Sequence, residues 1–191
     1  LRYATEKKIP VHPRGGGTDT AGGSLGPGLV LDFSRYLRRI LHITGEMVRV
    51  QPGIVHERLN AFLARHGRLF GPDPSLSETT TIGGMLAVDG AGSHWLKYGT
   101  ASQHVLGLQV VLADGQILEI GREPLDDGAA SGAHPRKRQI VRDLSELIRA
   151  NANLIEKNWP DTVVNRAGYR LSGVLGNNSL DLGRLLAGSE G

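Results

Sequence analysis

His12-Pro13-Arg14-Gly15-Gly16-Gly17-Thr18 is the stretch on which the reading of this chain turns. It runs straight on from Ile9 to His12, a short strand candidate. Before that, Leu1 to Lys8 reads as the end of a helix, which Pro10 stops. Three consecutive glycines let the backbone turn so that several N–H groups face one point. Such a nest binds an anion, typically a phosphate. Thr18 can add a hydroxyl, and Arg14 can add charge or fix the loop. Two common phosphate patterns fail here. A Gly-x-Gly-x-x-Gly run started at Gly15 meets Thr20 where its last glycine belongs, and no Gly-Lys-Ser/Thr ending exists. On its own the triple glycine is equally readable as a tight turn.

Further out, glycine remains the unusual residue. It numbers 27 of 191, about twice the usual ~7%. The glycines cluster at Gly15–Gly17, Gly22–Gly28, Gly83–Gly84 and Gly90–Gly92 without collagen periodicity. A second small, turn-prone set combines Pro72-Asp73-Pro74-Ser75 with Thr81-Ile82-Gly83-Gly84. Ala87, Asp89, Gly90, Gly92 and Ser93 continue it. A long flat ligand can lie against that much bare backbone without side-chain clash.

The remaining pattern mixes strands and helices without a regular βαβ repeat, which makes the class α+β. Leu29 to Asp32 reads as a strand. Leu37 to Ile43 and Met47 to Val50 read as a strand pair turning at Thr44-Gly45-Glu46. Val55, Leu59, Phe62 and Leu63 fall at helical spacing, with Gly67 as the C′ glycine. Gly71 to Ser77 is loop, and Thr79 to Asp89 begins a helix. Leu106 to Ala113 and Gln116 to Ile120 flank Asp114-Gly115, a hairpin signal. Arg122 to Gln139 reads as a surface loop, and its run Arg136-Lys137-Arg138 as a solvated one. Ile140 to Ile155 reads as one long amphipathic helix, and Leu180 to Leu186 as a short one. A break near Gly71–Thr80 divides two subdomains, 1–75 and 76–191.

Composition excludes several function classes. Cysteine is absent, so there is no disulfide, thiolate nucleophile or cysteine-ligated cluster in this chain. The formal charge of +3 is a small surplus, and aromatics are scarce, so no nucleic-acid platform is expected. No run approaches the ~18 apolar residues of a membrane span, so no transmembrane segment is expected. The expected location is cytoplasmic, with peripheral membrane contact through an electron acceptor as the other arrangement considered. The seven histidines show no His-x-x-x-His pair, so no metal site is expected. His56 and His66 are expected at the surface. His94 and His104 are expected to make ordinary hydrogen bonds, and Trp95 and Tyr98 to pack. Ser24 has the Gly-x-Ser-x-Gly spacing between Gly22 and Gly26, but no helix signal follows it, so no hydrolase elbow is expected.

Four blocks in order carry a family resemblance. They are Pro13 to Thr18; Pro72 to Ser75 with Thr81 to Gly84; Lys97-Tyr98-Gly99-Thr100 with Val105 to Leu108 and Asp114-Gly115; and Leu185 to Gly191. Together they resemble the FAD-binding domain of the vanillyl-alcohol-oxidase and para-cresol-methylhydroxylase type. Within it the chain is most similar to D-2-hydroxyacid dehydrogenases acting on D-lactate, glycolate or D-2-hydroxyglutarate. His94 to Gly99 and Asn165 to Leu171 resemble the large bacterial members fused to an iron–sulfur domain.

The resemblance implies a two-subdomain FAD-binding fold. Residues 1–75 carry the pyrophosphate loop, and 76–191 form a second subdomain truncated at its C-terminal end. It implies that the amides of Arg14, Gly15, Gly16, Gly17 and Thr18 hold the FAD pyrophosphate, with Gly23 and Ser24 on the same wall. It places Pro72, Asp73, Pro74 and Ser75, with Thr81, Ile82, Gly83 and Gly84, along the ribityl chain and flavin. Gly92, Gly99, Val105, Glu190 and Gly191 follow as later cofactor contacts. Thr18 follows the glycines where relatives with covalent flavin often carry His, so non-covalent FAD is expected. Asp89 stands where many relatives have Asn. The implied enzyme is an FAD-dependent oxidoreductase that oxidises a D-2-hydroxy acid to a 2-keto acid and passes electrons to a downstream acceptor. The catalytic residues are unknown and expected beyond residue 191, so this fragment alone is expected to be inactive, with weakened FAD binding. Two alternatives stay open: a nucleotide-binding module of the same fold without redox turnover, and a reductase of peptidoglycan precursors on a related fold.

Overall fold

The structure is a computed structural model, and it describes residues 1–126, 134–160 and 168–190. Helix α1 (Arg2–Glu6) leads into strand β1 (Val11–Arg14), which pairs in parallel with β2 (Leu29–Asp32). Parallel neighbours need a crossover. Here residues 15–28 supply it as loop, so the triple glycine leaves the carboxyl end of β1. Strands β3 (Ile40–Thr44) and β4 (Met47–Val50) form a hairpin whose turn uses Gly45 at φ +56°.

Helix α2 (His56–Ala64) buries Leu59 and Leu63. It ends as the sequence indicated: Gly67 has φ +64°, its N–H donates to the Ala64 carbonyl, and the Arg68 N–H donates to Leu63. Helix α3 (Ile82–Ala87) is capped by Thr81, whose side chain accepts from the Gly84 N–H at 3.2 Å. The short helix α4 (Trp95–Tyr98) and a 3-10 turn (Ala101–His104) follow.

Strands β5 (Gly107–Val111) and β6 (Ile117–Pro124) form the expected Asp114-Gly115 hairpin. Beyond it, β6 also pairs with β7 (Ser179–Asp181), so the sheet order is β5-β6-β7. Helices α5 (Pro135–Ala150), α6 (Ala152–Asn158) and α7 (Leu182–Leu186) complete the order.

Three expectations are corrected here. Residues 122–124 and 135–139 are not loop. Arg122 to Pro124 extend β6, because Glu123 pairs in register with the fully buried Leu180. Arg136, Lys137 and Arg138 lie in the first turns of α5, where His134 caps through a ring nitrogen that accepts from the Arg136 N–H. Lys137 is not solvated; its ammonium sits 2.9 Å from the Glu123 carboxylate. Residues 127–133 of that expected loop lie outside the described residues. The single long helix is two, because Asn151 leaves helical geometry at φ −112°. Leu180 is strand rather than helix, and Asp181 caps α7 behind it.

Apolar side chains gather in two clusters. One joins Ile54, Leu59 and Leu63 to Ile82, Met85 and Ala101. The other joins Leu118 and Ile120 to Val141, Ile148, Leu180, Leu182 and Leu185. The Arg49–Glu119 ion pair ties β4 to β6 across them, and Thr5 Oγ1 donates to the Ala113 carbonyl beside the β5–β6 turn. No described helix is long and apolar enough to cross a membrane.

Candidate functional site

The two glycine-rich regions meet face to face. A Cβ placed on Gly15 would lie 2.1 Å from Thr81 Oγ1, and one on Gly16 would lie 2.0 Å from the Thr79 carbonyl oxygen. Both positions therefore exclude any side chain. Their bareness serves the approach of one loop to the other, and the groove between the loops is a cleft of about 530 Å³.

One wall of the cleft is Pro13 to Thr20, Gly23 and Ser24. The other is Pro74 to Leu76, Thr80, Thr81, Gly83 to Met85, and Ala87 to Gly92 without Asp89. Phe33, Pro52 and Glu190 complete it. Arg14 is the one cation among these lining residues, set against the carboxylates Asp19 and Glu190. Anion binding here therefore has to come mainly from backbone amides. Among the described residues, the N–H groups of Gly15, Gly16, Gly17 and Thr18 donate to no protein acceptor, and Gly17 turns at φ +67°. Such unpaired donors require an outside acceptor, whether water or an anion. The Arg14 guanidinium lies against the α-carbon of Gly17 and so braces the loop. Asp19 folds inward, accepting from the Ala21 N–H at 3.0 Å and the Gly23 N–H at 2.6 Å. Those two bonds hold its carboxyl below the usual range.

Asp73 stands behind the second wall. It accepts from the His94 N–H at 3.0 Å, from Ser93 Oγ at 2.7 Å and from His94 Nδ1 at 2.5 Å. Burial pushes its carboxyl up, but these donors outweigh burial and hold it well below the usual carboxylate range. Gly92 sits at φ +81° with the Asp73 carbonyl oxygen 2.0 Å from its would-be Cβ. Asp73 thus ties segment 72–75 to segment 92–94 within that wall.

His56, expected at the surface, is only 4% exposed. Its Nδ1 meets Ser77 Oγ at 2.6 Å, and its Nε2 accepts from Asn60 Nδ2 at 3.0 Å. Burial lowers its pKa. It anchors the segment leading to the cleft wall, since the His56 N–H donates to the Thr80 carbonyl. His104 makes the ordinary hydrogen bond expected of it, to the Tyr98 carbonyl.

Of the residues singled out in the sequence, the cleft brings together Arg14 to Thr18, Gly23, Ser24, Pro74, Ser75, Thr81, Gly83, Gly84, Gly92 and Glu190. It does not take in Pro72, Asp73, Ile82, Gly99 or Val105. Pro72 and Ile82 are buried. Gly99 turns at φ +70° against the Gln103 side chain, and Val105 packs beside Gly183. Gly191 and Asn165 to Ala167 lie outside the described residues. Asp89, flanked by the lining residues Val88 and Gly90, is itself buried behind that wall and bonded to Ser102. Phe33 and Pro52 were missed. Phe33 follows β2 at the same carboxyl end from which the glycine loop leaves β1, and parallel pairing of the two strands is the signal that finds it.

Comparison with known proteins accords with this geometry. A family model described as FAD binding domain matches residues 1–121. D-2-hydroxyglutarate dehydrogenase of Pantoea ananatis (strain AJ13355) is 40% identical over 185 residues, which cover 94% of this chain and 18% of that protein. D-lactate dehydrogenase of Archaeoglobus fulgidus is 37% identical over 131 residues, covering 68% of this chain and 29% of that protein. Among solved structures, 6-hydroxy-D-nicotine oxidase from Arthrobacter nicotinovorans superposes with a TM-score of 0.54 at 30% identity, over 62% of this chain and 26% of that one. The chain therefore spans only about a fifth of the length of the hydroxyglutarate dehydrogenases it matches.

Proposed function

This chain belongs to the FAD binding domain family, and we propose that its cleft holds FAD non-covalently for the oxidation of a D-2-hydroxy acid to a 2-keto acid. The observation that carries the reading is the groove between the two glycine-rich loops, with four unpaired backbone donors along one wall. The residues fit the group. The amides of Gly15 to Thr18 would hold the pyrophosphate, with Arg14 as the only cation among the described lining residues. Gly83, Gly84, Gly90 and Gly92 would let a flat ring lie against backbone, while Phe33, Pro52, Leu76 and Met85 provide apolar contact. Thr18 offers a hydroxyl and no nucleophilic imidazole at the end of the loop, which supports non-covalent binding. Asp73 and Ile82 would act from behind the walls.

FAD, when bound, would supply the redox chemistry, a two-electron oxidation at the substrate's α-carbon. The chain's own part is to bind and orient the cofactor and to exclude water from the groove. The matched relatives are several times longer than this chain, and we assign the step that takes the hydroxyl proton, the hydroxy-acid site and the electron acceptor to the rest of such an enzyme. The substrate class follows from relatives named for D-2-hydroxyglutarate, D-lactate and glycolate.

The test is the absorption spectrum of the purified protein after gel filtration with FAD. Bands near ~370 and ~450 nm that travel with the protein and are released on heat denaturation support the proposal. Flavin that stays with denatured protein contradicts non-covalent binding, and protein without flavin at saturating FAD contradicts the site.

A further inference from the structure

Asp89 holds a φ of +45°, rare for a residue with a side chain. Its side chain is 5% exposed. The carboxylate accepts from the Ser102 N–H at 2.7 Å and from Ser102 Oγ at 3.1 Å. Ser102 is itself fully buried. Among the described residues, one cation reaches this cluster: Arg170 Nη1 lies 3.9 Å from Asp89 Oδ2 and donates to Ser102 Oγ at 3.4 Å.

The position of the cluster gives it consequence. Asp89 stands between Val88 and Gly90, both of which line the cleft. The Ala101 N–H donates to the Gly90 carbonyl, the Gly188 N–H to Leu86, and the Glu190 N–H to Ala87. Three segments, around Ala101, Arg170 and Gly188, thus converge on the end of α3. A strained φ persists only where its surroundings over-determine it, and a buried carboxylate left without a counter-charge is costly.

We infer that Arg170 is a positioning residue for the cofactor: by pairing with Asp89 behind the cleft wall, it fixes the Ala87–Gly92 backbone in the shape that receives FAD. The inference rests on the proposed FAD reading of the cleft. Because Asp89 is the deeper partner, with Arg170 30% exposed, loss of the arginine harms more than loss of the carboxylate.

Two readouts test it: the FAD dissociation constant, by flavin-fluorescence titration, and hydrogen exchange of residues 87–104 in cofactor-free protein. Arg170→Met should weaken FAD binding about tenfold and speed exchange over 87–104 selectively. Arg170→Lys should restore most of both. Asp89→Asn combined with Arg170→Met removes both charges and should return binding to within about threefold of wild type. Wild-type affinity in Arg170→Met overturns the inference. So does a double variant no better than Arg170→Met, or faster exchange spread over the whole chain. If wild-type protein binds no FAD, the cofactor reading fails, while selective exchange at 87–104 still decides whether Arg170 shapes that wall.

Discussion

Thr81 Oγ1 occupies the place that a Cβ on Gly15 would need, 2.1 Å from it. The same oxygen caps α3 through the Gly84 N–H. One atom therefore sets both the start of a helix and the approach of the opposite loop, and it does so in the wall of the cleft.

Gly15→Ala should destabilise the protein by about 1–3 kcal/mol through overpacking and abolish FAD binding. Gly176→Ala, whose new Cβ would meet only ordinary contacts at 3.6 Å and beyond, should change the melting temperature little. A Gly15→Ala/Thr81→Ala double variant should cost less than the sum of the single ones, because the clashing oxygen is gone. Strict additivity in thermal melts would show that the two residues do not compete for space.

The Asp73 clamp should be specific in its effect. Asp73→Asn keeps the size but loses the charged acceptor of three hydrogen bonds, so segments 72–75 and 92–94 should separate. A loss of about 2 kcal/mol in chemical denaturation is expected, together with weaker FAD binding. Unchanged affinity would place the clamp outside the cofactor site.

Histidine 56 gives a pH dependence with a definite sign. Burial lowers its pKa in the fold, so between the lowered value and the ordinary value near ~6.5 the unfolded chain holds more protons. The contribution is fully present above ~6.5 and is lost as pH falls from there through the folded value. Melting temperatures should therefore drop between about pH 7 and 5. His56→Gln should flatten that slope while lowering stability at pH 8; an equally steep slope in the variant would assign the dependence to other groups.

The glycine loop, the α2 cap at Gly67, a helix beginning within Thr79 to Asp89 and the Asp114-Gly115 hairpin were all legible because each is specified by local sequence. What could not be read depends on distant partners. Arg122 to Glu123 became strand only because Ser179 to Asp181 arrive beside them, and His56 became buried only because Ser77 and Phe70 fold over α2. The cleft followed the same division. Its glycine walls stood out in the sequence, whereas Phe33, Pro52 and the inward turn of Asp89 are set by how separate segments dock.

The most direct test of the account is hydrogen exchange, read by mass spectrometry, with and without saturating FAD. The account expects protection concentrated in residues 13–24 and 80–92, the two walls of the cleft. Flavin binding with protection elsewhere, or none in the Gly15 to Thr18 amides, would contradict it.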